Sequence, residues 1–169
     1  MSIPDYIPTF SLEDAIQIAQ KLYNLSTTAK LLPSYQDQNF MLNTENGERY
    51  VLKIANGAEI CAHLEAQNQV MGHLAQRVAF CPQVVSAQNG EEILVVESAS
   101  EVKHFVRLVT YLPGKPMGFI KRHSPELLDD IGFKLGQLTS ALQGLDYSGL
   151  QQDLQWDFAN GLEIVINYA

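Results

Sequence analysis

Lys30–Ala55, KLLPSYQDQNFMLNTENGERYVLKIA, reads as two β-strands joined at Asn46-Gly47. Asn-Gly between β-prone runs favours a two-residue type I′ turn, because both residues accept the positive φ that this turn requires. Side chains alternate along the return strand, so Val51, Lys53 and Ala55 share one face and Tyr50, Leu52 and Ile54 the other. The hairpin therefore delivers one lysine, Lys53, to a chosen face of a sheet among small apolar neighbours. A solvated strand face is the ordinary fate of such a lysine. A lysine held among apolar groups instead needs an anion, and the segment that follows offers Glu59 and Glu65.

On either side of the hairpin the hydrophobic period changes. Ser11 followed by Asp14 resembles a capping box, and Leu12, Ala15, Ile16, Ala19, Leu22 and Tyr23 keep helical spacing up to Asn24. Strands are expected near 28–33, 39–45 and 48–55. Residues 57–77 return to a helical period with Ile60, Leu64, Met71, Leu74 and Val78 on one stripe, ending before Cys81-Pro82. Two further strands are expected, Ile93–Glu97 and Lys103–Leu112. The second runs into the breaker cluster Pro113-Gly114-Lys115-Pro116. A long helix begins at Pro125, with Leu128, Ile131, Leu135, Leu138, Leu142 and Leu145 on one side, and Trp156 with Asp157 would start a core contact beyond it. The order is helix, three strands, helix, two strands, hinge, helices: an α+β arrangement around a five-stranded antiparallel sheet, with a boundary at 112/113.

Composition narrows the function classes. The chain has 169 residues, 46% of them hydrophobic, and a mean hydropathy of -0.06, which suits one packed core. A formal charge of -8 with no basic cluster argues against nucleic acid as a partner. No apolar run approaches the roughly 20 residues that span a bilayer, and MSIPDYIPTF lacks the features of a signal peptide, so no membrane partner and a cytoplasmic location are expected. Cys61 and Cys81 have no metal-ligand spacing and are expected as buried, reduced thiols. His63, His73, His104 and His123 are scattered, as surface or packing residues are. The pair Gly132 and Gly136 suits close packing of the long helix.

The segment LPSYQDQNF, the VLKIAN strand, the helical stretch HLEAQNQVMGHL and the later VTYLPG together resemble the aminoglycoside phosphotransferase superfamily of small-molecule kinases, nearest to its hydroxylysine kinase and homoserine kinase-like members. The similarity runs from about Ser11 to Trp156-Asp157. It implies a protein-kinase-like small lobe over residues 1–112, and over 113–169 a hinge and the first helices of a large lobe. It also implies transfer of the γ-phosphate of ATP or GTP, with Mg²⁺, to a hydroxyl of an amino-acid-like or aminoglycoside-like substrate. Lys53 matches the lysine that contacts the phosphates, and Glu65 the helix glutamate that steadies it, in preference to Glu59 near the helix start. Ser34, Tyr35, Gln36, Gln38 and Asn39 fall in the loop that would cover the phosphates, Val51 in the adenine floor, and Thr110, Tyr111 and Leu112 in the hinge. The loop contains no glycine, so an ordinary polar turn is its other reading. Asp37 is assigned no role, since a carboxylate beside a triphosphate repels it.

The resemblance also marks what is missing. Kinases use an aspartate with an asparagine five residues on, and a second aspartate for the metal. After Leu112 the aspartates are Asp129, Asp130, Asp146, Asp153 and Asp157, followed at that distance by Lys134, Leu135, Gln151, Phe158 and Leu162. The expectation is an amino-terminal part of a larger kinase, inactive by itself, that would meet a missing large lobe in cis. An exposed apolar stripe on the long helix would favour a homodimer. The rival expectation is a non-catalytic, kinase-shaped regulatory or interaction domain.

Overall fold

The computed structural model describes residues 6–145, 149 and 158–168, and the elements expected at Asp146, Asp153, Trp156 and Asp157 lie outside them. The chain runs α1 (Leu12–Tyr23), β1 (Thr27–Leu32), β2 (Gln38–Thr44), β3 (Arg49–Ile54), α2 (Cys61–Ala75), β4 (Val84–Val85), β5 (Leu94–Glu97) and β6 (Lys103–Thr110), then α3 (Pro125–Ala141) and α4 (Gly161–Tyr168). All strand pairs are antiparallel, in the order β1-β2-β3-β6-β4, with β5 also on β6. The expected α+β class and antiparallel sheet are present. The sheet has one strand more than the expected five, because the two-residue β4 is too short to show a period of its own.

The hairpin at Asn46-Gly47 closes differently from the two-residue turn its sequence favours. Gly47 N–H donates to Thr44 O and Thr44 N–H donates to Glu48 O, which leaves a three-residue loop. Gly47 alone in this loop has a left-handed backbone, with φ 88°, while Asn46 stays at negative φ. This is the longer hairpin loop in which a left-handed glycine follows the turn, and the Asn46 amide is spent on the loop itself, donating to Glu48 Oε2 at 3.0 Å. The register still puts Lys53 opposite Asn39 on β2 and opposite Arg107 on β6.

Helix α1 starts with the expected capping box: Asp14 N–H donates to Ser11 Oγ and Ser11 N–H donates to Asp14 Oδ2. Asn24 closes it in a left-handed conformation, φ 55°. Its Ala15, Ala19 and Tyr23 pack on the sheet face made by Phe40, Leu42, Leu52, Ile54, Val106 and Leu108, which is the core. The other face of the sheet carries Asn39, Val51, Lys53, Arg107 and Val109, and α2 lies over it. The strands are thus buried on one face by α1 and roofed on the other by α2, so that polar groups on the second face are enclosed between sheet and helix.

The long helix stops at Ala141 rather than Leu145, and the turn after it contains Gly144 at φ 79°. His73 Nε2 on α2 lies 2.8 Å from Ala141 O, tying the two helices together. The apolar stripe of α3 is only half covered, with Leu128 and Leu135 exposed. Ile60, expected on the buried stripe of α2, is exposed and precedes the helix, and both cysteines are free and half-buried rather than enclosed. Among the described residues no helix is long and apolar enough to cross a membrane.

Leu52 is fully buried at the centre of the core. Leu52→Ala removes that packing and leaves a cavity, so the free energy of urea unfolding should fall by about 2–5 kcal/mol. A loss below about 1 kcal/mol would mean that the α1 face of the sheet is not the core.

Candidate functional site

The roof of α2 does not seal the second sheet face. A cleft of about 580 Å³ remains between them, floored by Val51, Lys53, Arg107 and Val109, walled by Gln67, Val70 and Met71 of α2, and closed at its outer end by Pro82 and Thr110–Leu112. Its outer portion is apolar and its two cations sit together at the inner end. Such a shape accepts a flat apolar group at one end and an anion at the other.

Lys53 is half-buried, and its Nζ donates to Asn39 Oδ1 at 3.2 Å. Asn39 in turn donates from Nδ2 to Ser34 Oγ at 2.9 Å, so the ammonium is linked through one amide to the loop before β2. Burial holds the Lys53 pKa below its usual 10.5 and Arg107 pushes in the same direction, while Asp37 pulls it back up. Arg107 is almost completely enclosed, at 4% exposure. Its Nη1 donates to Leu64 O at 3.2 Å and to Asn68 Oδ1 at 2.7 Å, and its Nη2 to Gln67 Oε1 at 2.8 Å. Burial likewise lowers its pKa, opposed by Asp37, Glu59 and Tyr23.

Neither cation has a carboxylate in contact, since the ion pairs among the described residues are His63–Glu59 and Lys134–Asp130. The expected Lys53–Glu65 pair is not formed. A helix turns about 100° per residue, so with Gln67, Val70 and Met71 on the cleft, Glu65 points roughly 200° from Gln67, away from it. Glu65 instead accepts from Cys61 Sγ at 3.8 Å and borders a separate groove with Asn68, Glu91 and Glu92. Glu59, the competing partner, bonds His63 at 3.0 Å.

The remaining sequence-stated residues divide in the same way by strand phase and by hydrogen bonding. Val51, Thr110, Tyr111 and Leu112 border the cleft with Lys53, and Asn39 and Ser34 reach it through the amide link. Gln38 is on the opposite phase and binds both the N–H and the C=O of Phe10, each at 2.8 Å, so it fixes the segment before α1. Tyr35 is exposed at the loop tip, and Gln36 contributes its carbonyl, which accepts from Asn56 Nδ2 at 3.5 Å. At the end of the cleft expected as a hinge, Thr110 N–H donates to Gln83 O at 2.9 Å and Tyr111 N–H to Arg49 O at 3.1 Å, while Leu112 N–H has no backbone partner among the described residues. Arg49 also stacks on the Tyr111 ring at 4.6 Å, which stiffens this end of the cleft.

Arg107, Gln67, Met71 and Asp37 are site residues that the sequence reading did not select. Arg107 left a signal: it is a lone charge inside the otherwise apolar run VRLVT, in a strand buried on both faces. Asp37 accepts from Asn56 N–H at 3.1 Å and acts on both cations from a distance.

The family model of the phosphotransferase enzyme family (APH) matches residues 28–164. The chain belongs to this family. Among curated relatives it is 35% identical over 136 residues to hydroxylysine kinase of Xenopus laevis, covering 74% of this chain and 36% of the relative. It is 31% identical over 153 residues to hydroxylysine kinase of Danio rerio, covering 87% and 43%. The chain therefore spans less than half the length of these relatives. A solved structure of an amicoumacin kinase in complex with AMP-PNP, Ca²⁺ and Ami superposes with a TM-score of 0.69 at 14% identity, over 92% of this chain and 48% of that one. That likeness establishes the fold, and the cleft described above lies within the matched span.

The depressed Lys53 pKa has a definite sign in stability. Between its lowered folded value and 10.5, the unfolded chain binds the proton more tightly, so this lysine's unfavourable contribution is fully present at neutral pH and is relieved as pH rises to 10.5. Lys53→Met should therefore be at least as stable as wild type at pH 7, and its advantage in urea unfolding should shrink as the pH approaches 10.5. An advantage independent of pH would place Lys53 in a fully hydrated site.

Proposed function

We propose that this chain is the nucleotide-binding part of a small-molecule kinase. The observation that carries the reading is the pairing, in one cleft, of an apolar slot ending at Leu112 with two cations that no carboxylate of the described residues neutralises. A purine would lie between Val51 on the floor and Met71 on the wall, taking a hydrogen bond from Leu112 N–H, while the phosphates would reach Lys53. Residues 1–112 would then act as the nucleotide-binding lobe and 113–169 as the hinge and the start of the second lobe. Among the described residues no three His, Cys, Asp or Glu side chains converge on a cation site, so Mg²⁺ would arrive bound to the phosphates, whose charge it offsets.

In the whole protein, the acceptor would be a hydroxyl of a small amino-acid-like or aminoglycoside-like molecule; the relatives are named for hydroxylysine and amicoumacin. Lys53, steadied by Asn39, would orient the phosphates and offset charge as the γ-phosphoryl leaves. Positioning and charge stabilisation are the main sources of rate in phosphoryl transfer. The residues that activate the alcohol would lie outside this cleft, and this chain alone would bind nucleotide without turnover. A second reading, a kinase-shaped interaction domain without chemistry, draws on one observation, the turn of Glu65 away from Lys53.

Titration of Mg-ATP into wild type, Lys53→Ala and Glu65→Gln separates these readings. Loss of a charged phosphate contact should weaken binding by about tenfold or more in Lys53→Ala, and Glu65→Gln should stay within about twofold of wild type. Equal affinity of wild type and Lys53→Ala would contradict the proposal, and a wild type blind to Mg-ATP would select the interaction domain.

A further inference from the structure

Arg107 is an expensive residue for its position. It stands directly opposite Lys53 across the β3–β6 pair, and like charges so placed destabilise a sheet. Its guanidinium is removed from water, yet its hydrogen bonds among the described residues all go to neutral acceptors: the Leu64 carbonyl and the amide oxygens of Gln67 and Asn68. Lys53 is treated alike, with the Asn39 amide where a carboxylate would neutralise it. Each amide is one atom away from a carboxylate of the same shape. Asp37, the carboxylate whose charge acts on both cations, makes no ion pair with either among the described residues and accepts the Asn56 N–H at Oδ1.

If Arg107 served only to pin α2 to the sheet through Leu64 O, a glutamate at 67 would pin it more strongly, because charge-assisted bonds are about twice as strong as neutral ones. Buried charge left without a counter-ion is instead the condition of a site whose counter-ion comes from outside. Arg107 has the means to meet one. Of its five N–H donors three are used on α2, which leaves Nε–H and one Nη2–H without a partner among the described residues, on a side chain that borders the cleft.

We propose that Arg107 is a second phosphate-binding cation of the cleft, and that Gln67, Asn68 and Asn39 are amides so that the Lys53–Arg107 pair stays free for a diphosphate or triphosphate group. The inference rests on the nucleotide-binding reading for its ligand class and adds to it the residue that sets the strength of phosphate binding. Asn68 carries the arrangement further. Its Nδ2 donates to Glu92 Oε2 at 3.1 Å, so that its oxygen is turned to Arg107 and a carboxylate is kept one residue removed from the guanidinium. These amides are positioning residues, acting on the ligand through the cations they hold.

The test adds an internal counter-ion and reads stability and anion binding separately. Inorganic pyrophosphate without metal is titrated by calorimetry into wild type, Gln67→Glu and Asn39→Asp, with the melting temperature of each ligand-free protein recorded and Mg-ATP titrated in parallel. Wild type should bind pyrophosphate, Gln67→Glu should bind it about tenfold or more weakly, and the melting temperature of ligand-free Gln67→Glu should be unchanged or higher, since the new carboxylate meets a charge already buried. A binding loss with a gain in stability is a combination that damage to a structural contact does not produce. Should Gln67→Glu melt lower, Asn39→Asp, at a less enclosed position beside Lys53, decides the matter by the same comparison. Equal pyrophosphate affinity in wild type and the decisive variant, or no pyrophosphate binding by wild type, overturns the inference. Wild type that binds pyrophosphate but not Mg-ATP would overturn the nucleotide reading alone, whereas Mg-ATP binding that survives the added carboxylate would overturn this inference alone.

Discussion

Two cations on neighbouring strands, Lys53 and Arg107, face each other across the β3–β6 pair, and no carboxylate of the described residues forms an ion pair with either. Much of the second sheet face answers to that fact. The repulsion and the burial are both unfavourable, and what offsets them is a set of neutral acceptors drawn from two elements: Asn39 on β2, and Gln67, Asn68 and the Leu64 carbonyl on α2. Helix α2 is held to the sheet through Arg107 at Leu64, Gln67 and Asn68. The opposite face needs no such arrangement, because Phe40, Leu42, Leu52, Ile54, Val106 and Leu108 meet α1 as an apolar core. The protein thus stores its stability on one face and its charge on the other. This division suits a domain whose binding surface must stay poised for an anion.

The cleft's chemistry follows from that separation. An apolar slot between Val51 and Met71 gives a flat ring a dry surface, and the fixed Thr110–Leu112 end, held by Gln83 and Arg49, gives it an edge. Under the proposed reading, the cations at the inner end would favour a ring that carries an anionic group. The chain's membership of the phosphotransferase enzyme family is consistent with this proposal.

Much of this was legible in the sequence, and the failures share one cause. Period two placed Lys53 on the face opposite Leu52 and Ile54, and the Ser11/Asp14 signature located the start of α1 to the residue. Both are local rules, decided by neighbours a few positions away. Glu65 failed because helix phase is set by packing: Leu64 and Leu74 go inward, Gln67 faces the cleft, and a glutamate two positions earlier cannot. Gln38 and Asn39 look alike in a polar loop, yet adjacent residues of a strand go to opposite faces, and only Asn39 meets Lys53. Arg107 was visible as a charge in an apolar strand, but its partners come from a helix some 40 residues away. Asn46-Gly47 gave the hairpin but not its loop length, since the Asn46 side chain found bonds within the turn that the two-residue geometry does not offer.

An external anion would complete the Lys53–Arg107 pair. A crystal structure of this protein with a non-hydrolysable ATP analogue and Mg²⁺ tests it most directly. Phosphate oxygens are expected within hydrogen-bond distance of both Lys53 Nζ and the Arg107 guanidinium, with Gln67 and Asn39 still bonded to their cations and Glu65 still on the outer side of α2. Phosphates bound away from Arg107, or a rotated α2 that brings Glu65 onto Lys53, would contradict it.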